Sequence, residues 1–330
     1  MPAPTVSVVV VSWNGAHLLP ACLDSVLGQT VAASLEVIVV DNDSVDGTAA
    51  LLAARYPQVR RVAAPRNLGF AGGAALGTRH ATGRYLALVN NDAALAPDAV
   101  EHLVAALEDP ANARVAAATA RVLLAPRPED AAGGTPRLNS TGNLITRTGR
   151  GVDRDWLVPV DRSRATPDVF GFYGGAALLR LSAVRDVGGF DAGLFLYYED
   201  TDLSWRLRAA GWSVRYVAEA AATHLHAASS GVDSPVFRYY NTRNSLVVFA
   251  RHAPAGVVAA SVARQSAGTV RALAREGLGS PQARARARGL LAWWLRLPLT
   301  LRERSRMWSG AVVPRAEVAR YLDRDVPRPA

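Results

Sequence analysis

Acidic side chains follow two apolar segments of the sequence, at the point where each predicted strand ends. Residues 35–40 lead into Asp41, and residues 85–89 lead into two asparagines followed by Asp92. Because ligands of parallel α/β sheets bind beyond the carboxyl ends of the strands, both carboxylates are expected at one site. A carboxylate in such a place can accept a hydrogen bond from a ligand or hold a hard divalent cation.

A third acidic cluster comes more than a hundred residues later, at Glu199-Asp200-Thr201-Asp202. Adjacent carboxylates can shift each other's pKa, which is a common feature of groups that carry out general acid–base chemistry. The alternative is that these side chains form the acidic first turn of a helix that starts near Thr201, where they favour the positive end of the helix dipole.

Several kinds of chemistry are excluded by residue types that the chain lacks. All 37 basic residues are arginine, so neither a Schiff-base lysine nor a Walker-type phosphate loop is present. Cys22 is the only cysteine, which excludes an internal disulfide and a cysteine-based zinc site. The first predicted strand leads into Ser12-Trp13-Asn14-Gly15, with a single glycine, so the three-glycine fingerprint of dinucleotide-binding oxidoreductases is missing.

Predicted strands alternate with predicted helices over the first 110 residues, which indicates an α/β fold with a parallel sheet flanked by helices. Strands are predicted at 6–11, 35–40, 59–63, 85–89 and 213–217, and helices at 18–29, 46–56, 70–81, 97–107 and 237–249. Residues 126–168 are rich in Pro, Gly, Arg and Asp and are expected to form long loops that could include one hairpin. We therefore expect an α/β domain over residues 1–250 and an extension over residues 251–330.

The net charge of +9 is confined to the last quarter of the chain. Residues 1–250 contain 22 arginines and 23 acidic residues, whereas residues 251–330 contain 15 and 5, a net charge of +10. In this extension, leucines and Trp293, Trp294 and Trp308 lie among the arginines, which is typical of an amphipathic helix on an anionic membrane surface. The alternative is packing on the α/β domain. No nucleic-acid partner is expected, and Pro298 is expected to break or kink the helix.

Neither a membrane-spanning helix nor a secretory signal is expected. The sequence has no run of about 18 uncharged apolar residues, and residues 1–11 have no basic segment before their apolar run. Half of the 330 residues are hydrophobic, and this fraction is enough for a sizeable core. The mean hydropathy is +0.08, close to neutral. These features favour a cytoplasmic protein that associates peripherally with the inner face of the cell membrane.

Six motifs, in order, resemble those of glycosyltransferase family 2, a large family of inverting enzymes with the GT-A fold. They comprise residues 8–14, 39–47, 66–73, 89–93, 174–176 and 199–206, within a resemblance that covers residues 6–244. The segment 66–73 is most similar to the rhamnosyltransferase-like branch. The resemblance implies a Rossmann-like, mostly parallel sheet flanked by helices, with a nucleotide-binding half at about 1–125, an acceptor half at about 126–250 and a basic helical C-terminal extension.

The resemblance implies a nucleoside diphosphate sugar as donor, either dTDP-rhamnose or a UDP-sugar. Asp41 suits a hydrogen bond from the nucleobase. Asp46 could belong to the same pocket, or it could cap the next helix. Gly72 and Gly73 allow the backbone to approach the donor closely, or else allow tight packing of helix on sheet. The residues expected to bind the nucleotide sugar are Ser12, Asn14, Asp41, Asp43, Asn67, Gly69, Asn91 and Arg243.

The resemblance also implies a divalent cation, Mg²⁺ or Mn²⁺, that neutralises the leaving diphosphate. Asp92 and His224 are the expected protein ligands. The family's usual motif has two acids flanking one residue, but Asn90 takes the first position here, which lowers the expected affinity for the metal. His226 would point to the opposite side of a strand from His224, and either histidine could instead be structural.

Inversion at the anomeric carbon needs a base opposite the leaving group, and the resemblance assigns this role to Asp200. Glu199 is expected to orient the acceptor or to cap the helix. The expected reaction transfers a sugar, L-rhamnose first, to a lipid-linked or cell-envelope glycan. Galactofuranose, N-acetylglucosamine and mannose remain alternatives, as does a sugar-nucleotide- or glycan-binding module without catalysis.

Overall fold

The computed structural model of the chain describes residues 5–125, 135–225 and 233–322. A large mixed sheet lies at its centre, and its first strand is buried along its whole length because helices cover both faces. The strands are β1 (Val6–Ser12), β2 (Leu35–Asp41), β3 (Arg60–Ala63), β4 (Tyr85–Asn90), β5 (Ala93–Leu95), β6 (Val115–Leu124), β7 (Leu138–Ser140), β8 (Asn143–Ile145), β9 (Gly151–Asp153), β10 (Ala176–Arg180) and β11 (Ser213–His224).

The alternation of strands and helices predicted for the first 110 residues is confirmed, with element ends that differ from the prediction by at most two residues. The helices are α1 (Leu19–Leu27), α2 (Thr48–Arg55), α3 (Gly69–His80), α4 (Ala99–Glu108), α5 (Leu181–Asp186), α6 (Glu199–Ala209), α7 (Pro235–His252), α8 (Ala255–Glu276), α9 (Pro281–Ser309) and α10 (Arg315–Val318). The domain boundary predicted at residue 250 falls within α7.

The sheet is mostly parallel, as predicted, with the strand order β3-β2-β1-β4-β10-β6-β11-β5 and with β7 beside β6. The prediction missed β5, β6, β7 and β10, of which β10 lies antiparallel between β4 and β6. It also ended β11 too early. A bulge between Val217 and Ala221 lets β11 continue along β6 as far as His224, which thereby reaches the same edge of the sheet as the end of β4.

Alternate side chains of β1 feed two apolar layers, one on each face of the sheet. Val8 and Val10 pack in the layer that contains Leu103 of α4, and Val9 packs in the layer that contains Leu203 of α6. This follows from the period of two in a strand, so a continuous β-branched run suits a strand covered on both sides. The second layer thus fixes α6, which carries the third acidic cluster, against the sheet.

Helix α9 packs against the rest of the protein with only one of its sides. Trp293 is buried, with 2% of its surface exposed, whereas the neighbouring Trp294 is 51% exposed. Of the two expectations for Pro298, the break is wrong, because α9 runs through the proline to Ser309, and the kink stays a prediction. Trp293 and Thr300, buried on either side of the proline, hold the helix in place although one backbone hydrogen bond is lost. Within the described ranges, no helix is long and apolar enough to cross a membrane.

Candidate active site

A cleft of about 740 Å³ opens at the carboxyl ends of β1 and β4. We call the lining residues between Val11 and Asp92 the N-terminal wall, and those between Asn139 and Asn241 the C-terminal wall. The sequence-predicted site residues that line this cleft are Asn67, Gly69, Asn91, Asp92, Glu199, Asp200 and His224. Segments more than a hundred residues apart therefore meet in one cavity.

Side-chain amides dominate the N-terminal wall. Asn42 donates from Nδ2 to Asn67 Oδ1 at 3.0 Å and to the Gly69 carbonyl at 3.1 Å, which ties the loops after β2 and β3 together. Gly69 has a φ of +68°, and a Cβ there would overlap the carbonyl oxygen of Phe195. Glycine is therefore required where α3 begins against the opposite wall.

Trp13 is a lining residue that the sequence analysis did not select. It follows β1 directly, and half of its side chain is exposed at the cleft. A half-exposed indole beside a polar cavity offers a flat surface on which a planar ring can stack. Its position between the two motif residues Ser12 and Asn14 was the available signal.

Ser12 and Asn14 lie behind the N-terminal wall and outside its lining. Ser12 Oγ accepts a hydrogen bond from Asn91 Nδ2 at 3.2 Å, so it orients a residue that does line the cleft. Asn14 joins two loops, because its N–H donates to Ser44 Oγ and its Oδ1 accepts from the Val45 N–H. Direct contact of either residue with a nucleotide sugar stays a prediction.

Asp41 is buried at the end of β2 and is already paired. Its Oδ2 accepts a hydrogen bond from Arg61 Nε at 2.8 Å, and its Oδ1 accepts one from the Ser44 N–H at 3.0 Å. Asp43 is exposed, with a φ of +66°, and like Asp41 it does not belong to the cleft lining. The structure places Asp41 at the end of β2 and Asp43 in the turn that follows, and their contact with a nucleotide sugar stays a prediction.

Asp92 and His224 form a buried pair where β5 meets β11. Asp92 Oδ1 lies 3.0 Å from His224 Nε2, and His224 Nδ1 lies 2.7 Å from Asn139 Oδ1, to which it can donate. With that tautomer, a lone pair on Nε2 faces the carboxylate oxygen and also Asn90 Nδ2, which lies 3.3 Å away and can donate to it.

The spacing of this pair suits a divalent cation. Two adjacent ligands on a six-coordinate ion with bonds of about 2.1 Å lie about 3 Å apart, which matches the separation of Asp92 Oδ1 and His224 Nε2. Across residues 5–125, 135–225 and 233–322, no group of three or more His, Cys, Asp or Glu side chains could hold a metal. His226, the other histidine considered, lies outside the described residues.

Asp200 lies in the first turn of α6, on the far side of a two-glycine turn from the Asp92–His224 pair. The Gly174 N–H donates to Asp200 Oδ2 at 3.2 Å, and the Gly175 carbonyl accepts from the Asn90 N–H at 3.0 Å. Burial raises the pKa of Asp200 above its ordinary value, although hydrogen bonds from Asn143 and the Gly174 N–H oppose this. A carboxylate with a raised pKa is a stronger base.

Glu199 and Asp200 both belong to the acidic first turn of α6, so the helix begins two residues earlier than expected. Glu199 is buried, and its Oε2 has no hydrogen-bond partner in the described part of the chain. Burial and then the charge of Asp200 raise the pKa of Glu199 to about 8. At neutral pH Glu199 therefore keeps its proton, and Asp200 carries the negative charge of the pair.

Asp153 is a third carboxyl group of the C-terminal wall, and the sequence analysis missed it. It lies opposite Asn143 in the β8–β9 hairpin, and the Asn143 side chain hydrogen-bonds to Asp200. Burial and then the charge of Asp200 raise the pKa of Asp153 to about 7. Asn139 and Tyr173 were missed as well, and Asp153 and Asn139 come from a stretch that composition assigned to loops.

The backbone just before α6 is strained. Phe195, Tyr197 and Tyr198 have φ values of +67°, +69° and +72°, a region that residues with a Cβ rarely adopt. All three line the cleft. Strain of this kind persists only where the surrounding structure holds the chain in place, and it concentrates at functional sites.

The side chain of Asn244, in α7, holds this segment. It is fully buried, and its Nδ2 lies within 3.0 Å of the carbonyl oxygens of Leu194, Leu196 and Tyr197. The neighbouring Arg243 Nη2 donates to the Leu194 carbonyl at 3.0 Å and lies outside the cleft lining. Direct contact of Arg243 with the nucleotide sugar stays a prediction, and in the structure its side chain supports the segment before α6.

Comparisons with known proteins agree with this geometry. Residues 7–157 match Glycosyl transferase family 2, and residues 85–240 match Glycosyl transferase family group 2. The N-acetylglucosaminyl-diphospho-decaprenol L-rhamnosyltransferase of Mycobacterium tuberculosis is 31% identical over 255 residues, which span 68% of this chain and 78% of that protein. An N-acetylglucosaminyltransferase of Mesorhizobium japonicum is 27% identical over 245 residues, spanning 70% and 53%.

Solved structures show the same fold. The mannosyltransferase PcManGT from Pyrobaculum calidifontis, in complex with GDP-Man and Mn²⁺, superposes with a TM-score of 0.53 at 20% identity and covers 93% of this chain and 88% of its own. GalNAc-T7 with UDP, GalNAc and Mn²⁺ gives a TM-score of 0.61 at 16% identity, covering 90% and 57%. The protein is therefore a glycosyltransferase with the GT-A fold. The chain belongs to glycosyltransferase family 2.

Proposed function

We propose that the cleft transfers a sugar from a nucleoside diphosphate donor, with inversion, in a single displacement. The observation that carries this proposal is that the Asp92–His224 pair and Asp200 line one cleft, with the turn at Gly174-Gly175 between them. A single displacement needs the leaving group and the base on opposite faces of the anomeric carbon, and two separate charged positions in one cavity meet that need.

On the donor side, Asp92 and His224 would hold Mg²⁺ or Mn²⁺ through Oδ1 and Nε2. Such a cation, when bound, stabilises the negative charge that develops on the leaving diphosphate. Trp13 would stack on the nucleobase, and the amides of Asn67 and Asn91 would hydrogen-bond to the donor. Two of the proteins with this fold were solved with Mn²⁺, which supports a divalent cation here.

On the acceptor side, Asp200 takes the proton of the attacking hydroxyl. The hydroxyl oxygen bonds to the anomeric carbon while the bond from that carbon to the diphosphate oxygen breaks. Glu199, protonated at neutral pH, keeps the local negative charge on Asp200. Asp153, on the facing hairpin, would accept a hydrogen bond from another hydroxyl of the acceptor sugar.

The donor that we propose is dTDP-rhamnose, and the acceptor is a lipid-linked or cell-envelope glycan. The similarity to the mycobacterial L-rhamnosyltransferase, whose name states a diphospho-decaprenol acceptor, supports both choices. The similarity to an N-acetylglucosaminyltransferase supports a second sugar. UDP-N-acetylglucosamine, UDP-galactofuranose and GDP-mannose are therefore the donors against which dTDP-rhamnose is compared.

A donor screen tests this proposal. Purified protein is incubated with each donor and a short prenyl diphosphate N-acetylglucosamine acceptor, with Mg²⁺, with Mn²⁺ or with a chelator, and the product is identified by mass and anomeric configuration. We expect rhamnose transfer with inversion that stops with the chelator. Transfer of a different sugar would refute the donor, and retention of configuration would refute the mechanism.

We further propose that the exposed side of α9 rests on the inner, anionic face of the cell membrane. Leu291, Trp294 and Leu295 are 58%, 51% and 76% exposed at helical spacing, and Leu299 and Leu301 continue the stripe. The extension of residues 251–330 adds a net charge of +10. Apolar anchors beside arginines favour the headgroup region of anionic lipids.

Vesicle sedimentation tests the membrane contact. The variant Leu291→Glu/Leu295→Glu is expected to lose binding to vesicles that contain phosphatidylglycerol. The control Val45→Glu/Val312→Glu changes two other exposed residues by the same chemistry and is expected to bind as the parent does. Equal binding by all three proteins would refute the contact.

A further inference from the structure

Four arginines lie together just outside the cleft lining. Arg150 is in the turn between β8 and β9, Arg264 and Arg271 are in α8, and Arg286 is in α9. We call them the arginine cluster. None of them forms an ion pair with an acidic residue in the described ranges. Arg238, which is close by, differs because it pairs with Asp233 and lies 3.7 Å from Glu276.

The members of the cluster are close enough to act on one another. Burial, followed by the charges of Arg238, Arg264 and Arg271, lowers the pKa of Arg286, although the charge of Glu276 opposes this. Burial, together with the charge of Arg150, also lowers the pKa of Arg264. Like charges that repel at short range destabilise a structure unless an anion neutralises them.

Two of the guanidinium groups are fixed in place. Arg264 Nη2 donates to the Gly149 carbonyl at 2.6 Å, and Arg286 Nη2 donates to Gln265 Oε1 at 2.8 Å. A Cβ at Gly268 would overlap the guanidinium of Arg286, so the glycine lets this side chain lie against α8. The charges are therefore held together rather than spread by free rotation.

Tyr198 connects the cluster to the catalytic cleft. It lines the cleft two residues before Asp200, and a Cβ at Gly151 would lie only 2.9 Å from its ring. The charges of Arg264 and Arg150 reach its hydroxyl group. The cluster thus lies one tyrosine side chain away from the C-terminal wall, on the acceptor side and apart from the Asp92–His224 pair.

We infer that the arginine cluster binds the diphosphate of a lipid-linked acceptor. Guanidinium groups bind phosphate oxygens through two parallel hydrogen bonds. Guanidinium groups that have no ion-pair partner and lie beside a sugar site therefore suit an anion attached to the acceptor sugar. The donor diphosphate has its own place at Asp92 and His224. The inference rests on the proposed function, because it takes the acceptor to lie beside Asp200.

Calorimetric titration with geranyl diphosphate tests the inference on the full chain. Excess nucleoside diphosphate and Mg²⁺ fill the donor site during the titration. The test variant is Arg150→Gln/Arg271→Gln, since Arg271 is exposed and Arg150 is only partly buried. The control Arg302→Gln/Arg306→Gln removes the same charge from exposed positions of α9, 16 residues or more beyond Arg286.

We expect the Kd for geranyl diphosphate to rise about tenfold or more in the test variant, because hydrogen bonds to a charged group are lost. In the control the Kd should stay unchanged. An equal Kd in all three proteins, or an equal rise in both variants, overturns the inference. Calorimetry reports on the cluster even in a protein that transfers no sugar, so this failure is distinguishable from failure of the proposed function.

Lipid headgroups carry the same phosphate chemistry, and vesicles separate the two sources. With vesicles of phosphatidylcholine and phosphatidylglycerol, the Arg150→Gln/Arg271→Gln variant is expected to sediment as the parent does. Weaker sedimentation together with an unchanged Kd for geranyl diphosphate would assign the cluster to headgroups and overturn the inference.

Discussion

The two walls of the cleft differ in the polar groups that they contribute. The N-terminal wall contributes neutral amides around Asp92, whereas the C-terminal wall brings together Asp153, Glu199 and Asp200, each with a raised pKa. Neutral amides suit a ligand that arrives with its own charge, and carboxyl groups with raised pKa values suit removal of a proton. We therefore propose that the N-terminal wall together with His224 binds the donor, and that the carboxyl groups of the C-terminal wall carry out proton transfer.

Asp200→Asn should break this division most strongly. The variant keeps the size of the side chain but cannot accept a proton, so kcat should fall about 10²- to 10⁴-fold. Thermal stabilisation by the donor should persist, because the N-terminal wall and His224 are unchanged. Asp186→Asn, on the exposed side of α5, is the matched control. A variant with near-parent kcat would exclude Asp200 as the base.

His224→Ala should affect the opposite step. Loss of the Nε2 that faces Asp92 should weaken Mn²⁺-dependent donor binding at least about 10- to 100-fold, the range seen for groups that only support a metal ligand. The readout is the thermal shift produced by donor with and without Mn²⁺. His102→Ala, away from the cleft, should behave as the parent. An unchanged shift in His224→Ala would remove the metal role.

Asn244→Asp tests whether the strained backbone before α6 matters for catalysis. The carboxylate has the shape of the amide but cannot donate to the three carbonyls before α6, so the free energy of unfolding should fall by about 1–3 kcal/mol. The kcat should fall while the KM for the donor stays near the parent value. Asn112→Asp, which removes a single hydrogen bond, should leave kcat unchanged. A loss of stability without a change in kcat would show a structural role alone.

Glu199→Gln should change the comparison least at a single pH, because its effect appears in how stability varies with pH. Since folding raises the pKa of Glu199 from 4.5 to about 8, the group's contribution to stability is complete below pH 4.5 and is lost as the pH rises through 8. Glutamine cannot ionise, so the Tm of the variant should fall less than that of the parent between pH 5 and pH 9. Glu101→Gln, exposed on α4, should follow the parent. Parallel Tm curves for parent and Glu199→Gln would contradict the raised pKa.

The difference between the two walls also explains how much of the site could be predicted from sequence. β1, β2 and β4 are short apolar segments, each followed by polar residues, and this local pattern was enough to predict the strands and to place Asp92 at their edge. Asp41 was placed at the right strand end. Its partner Arg61 belongs to the neighbouring strand, and no local pattern predicts a pairing across strands.

The C-terminal wall depends on long-range packing. Asp153 reaches the cleft because its hairpin folds against the segment before β10, and nothing within ten residues of it predicts that contact. The left-handed backbone at Tyr197 and Tyr198 exists because a buried amide holds it from α7, nearly fifty residues later. The motif at Glu199-Asp200 could still be found from resemblance, because its chemistry is local even though its setting is not.

The most direct measurement is a crystal structure of the protein with Mn²⁺ and a non-hydrolysable nucleotide sugar. If donor binding and proton transfer use separate groups as proposed, the structure should show a cation about 2.1 Å from Asp92 Oδ1 and His224 Nε2. It should also show an Asp200 oxygen on the face of the anomeric carbon opposite the diphosphate. A diphosphate bound away from Asp92 and His224, or an Asp200 carboxylate on the leaving-group face, would contradict the proposal.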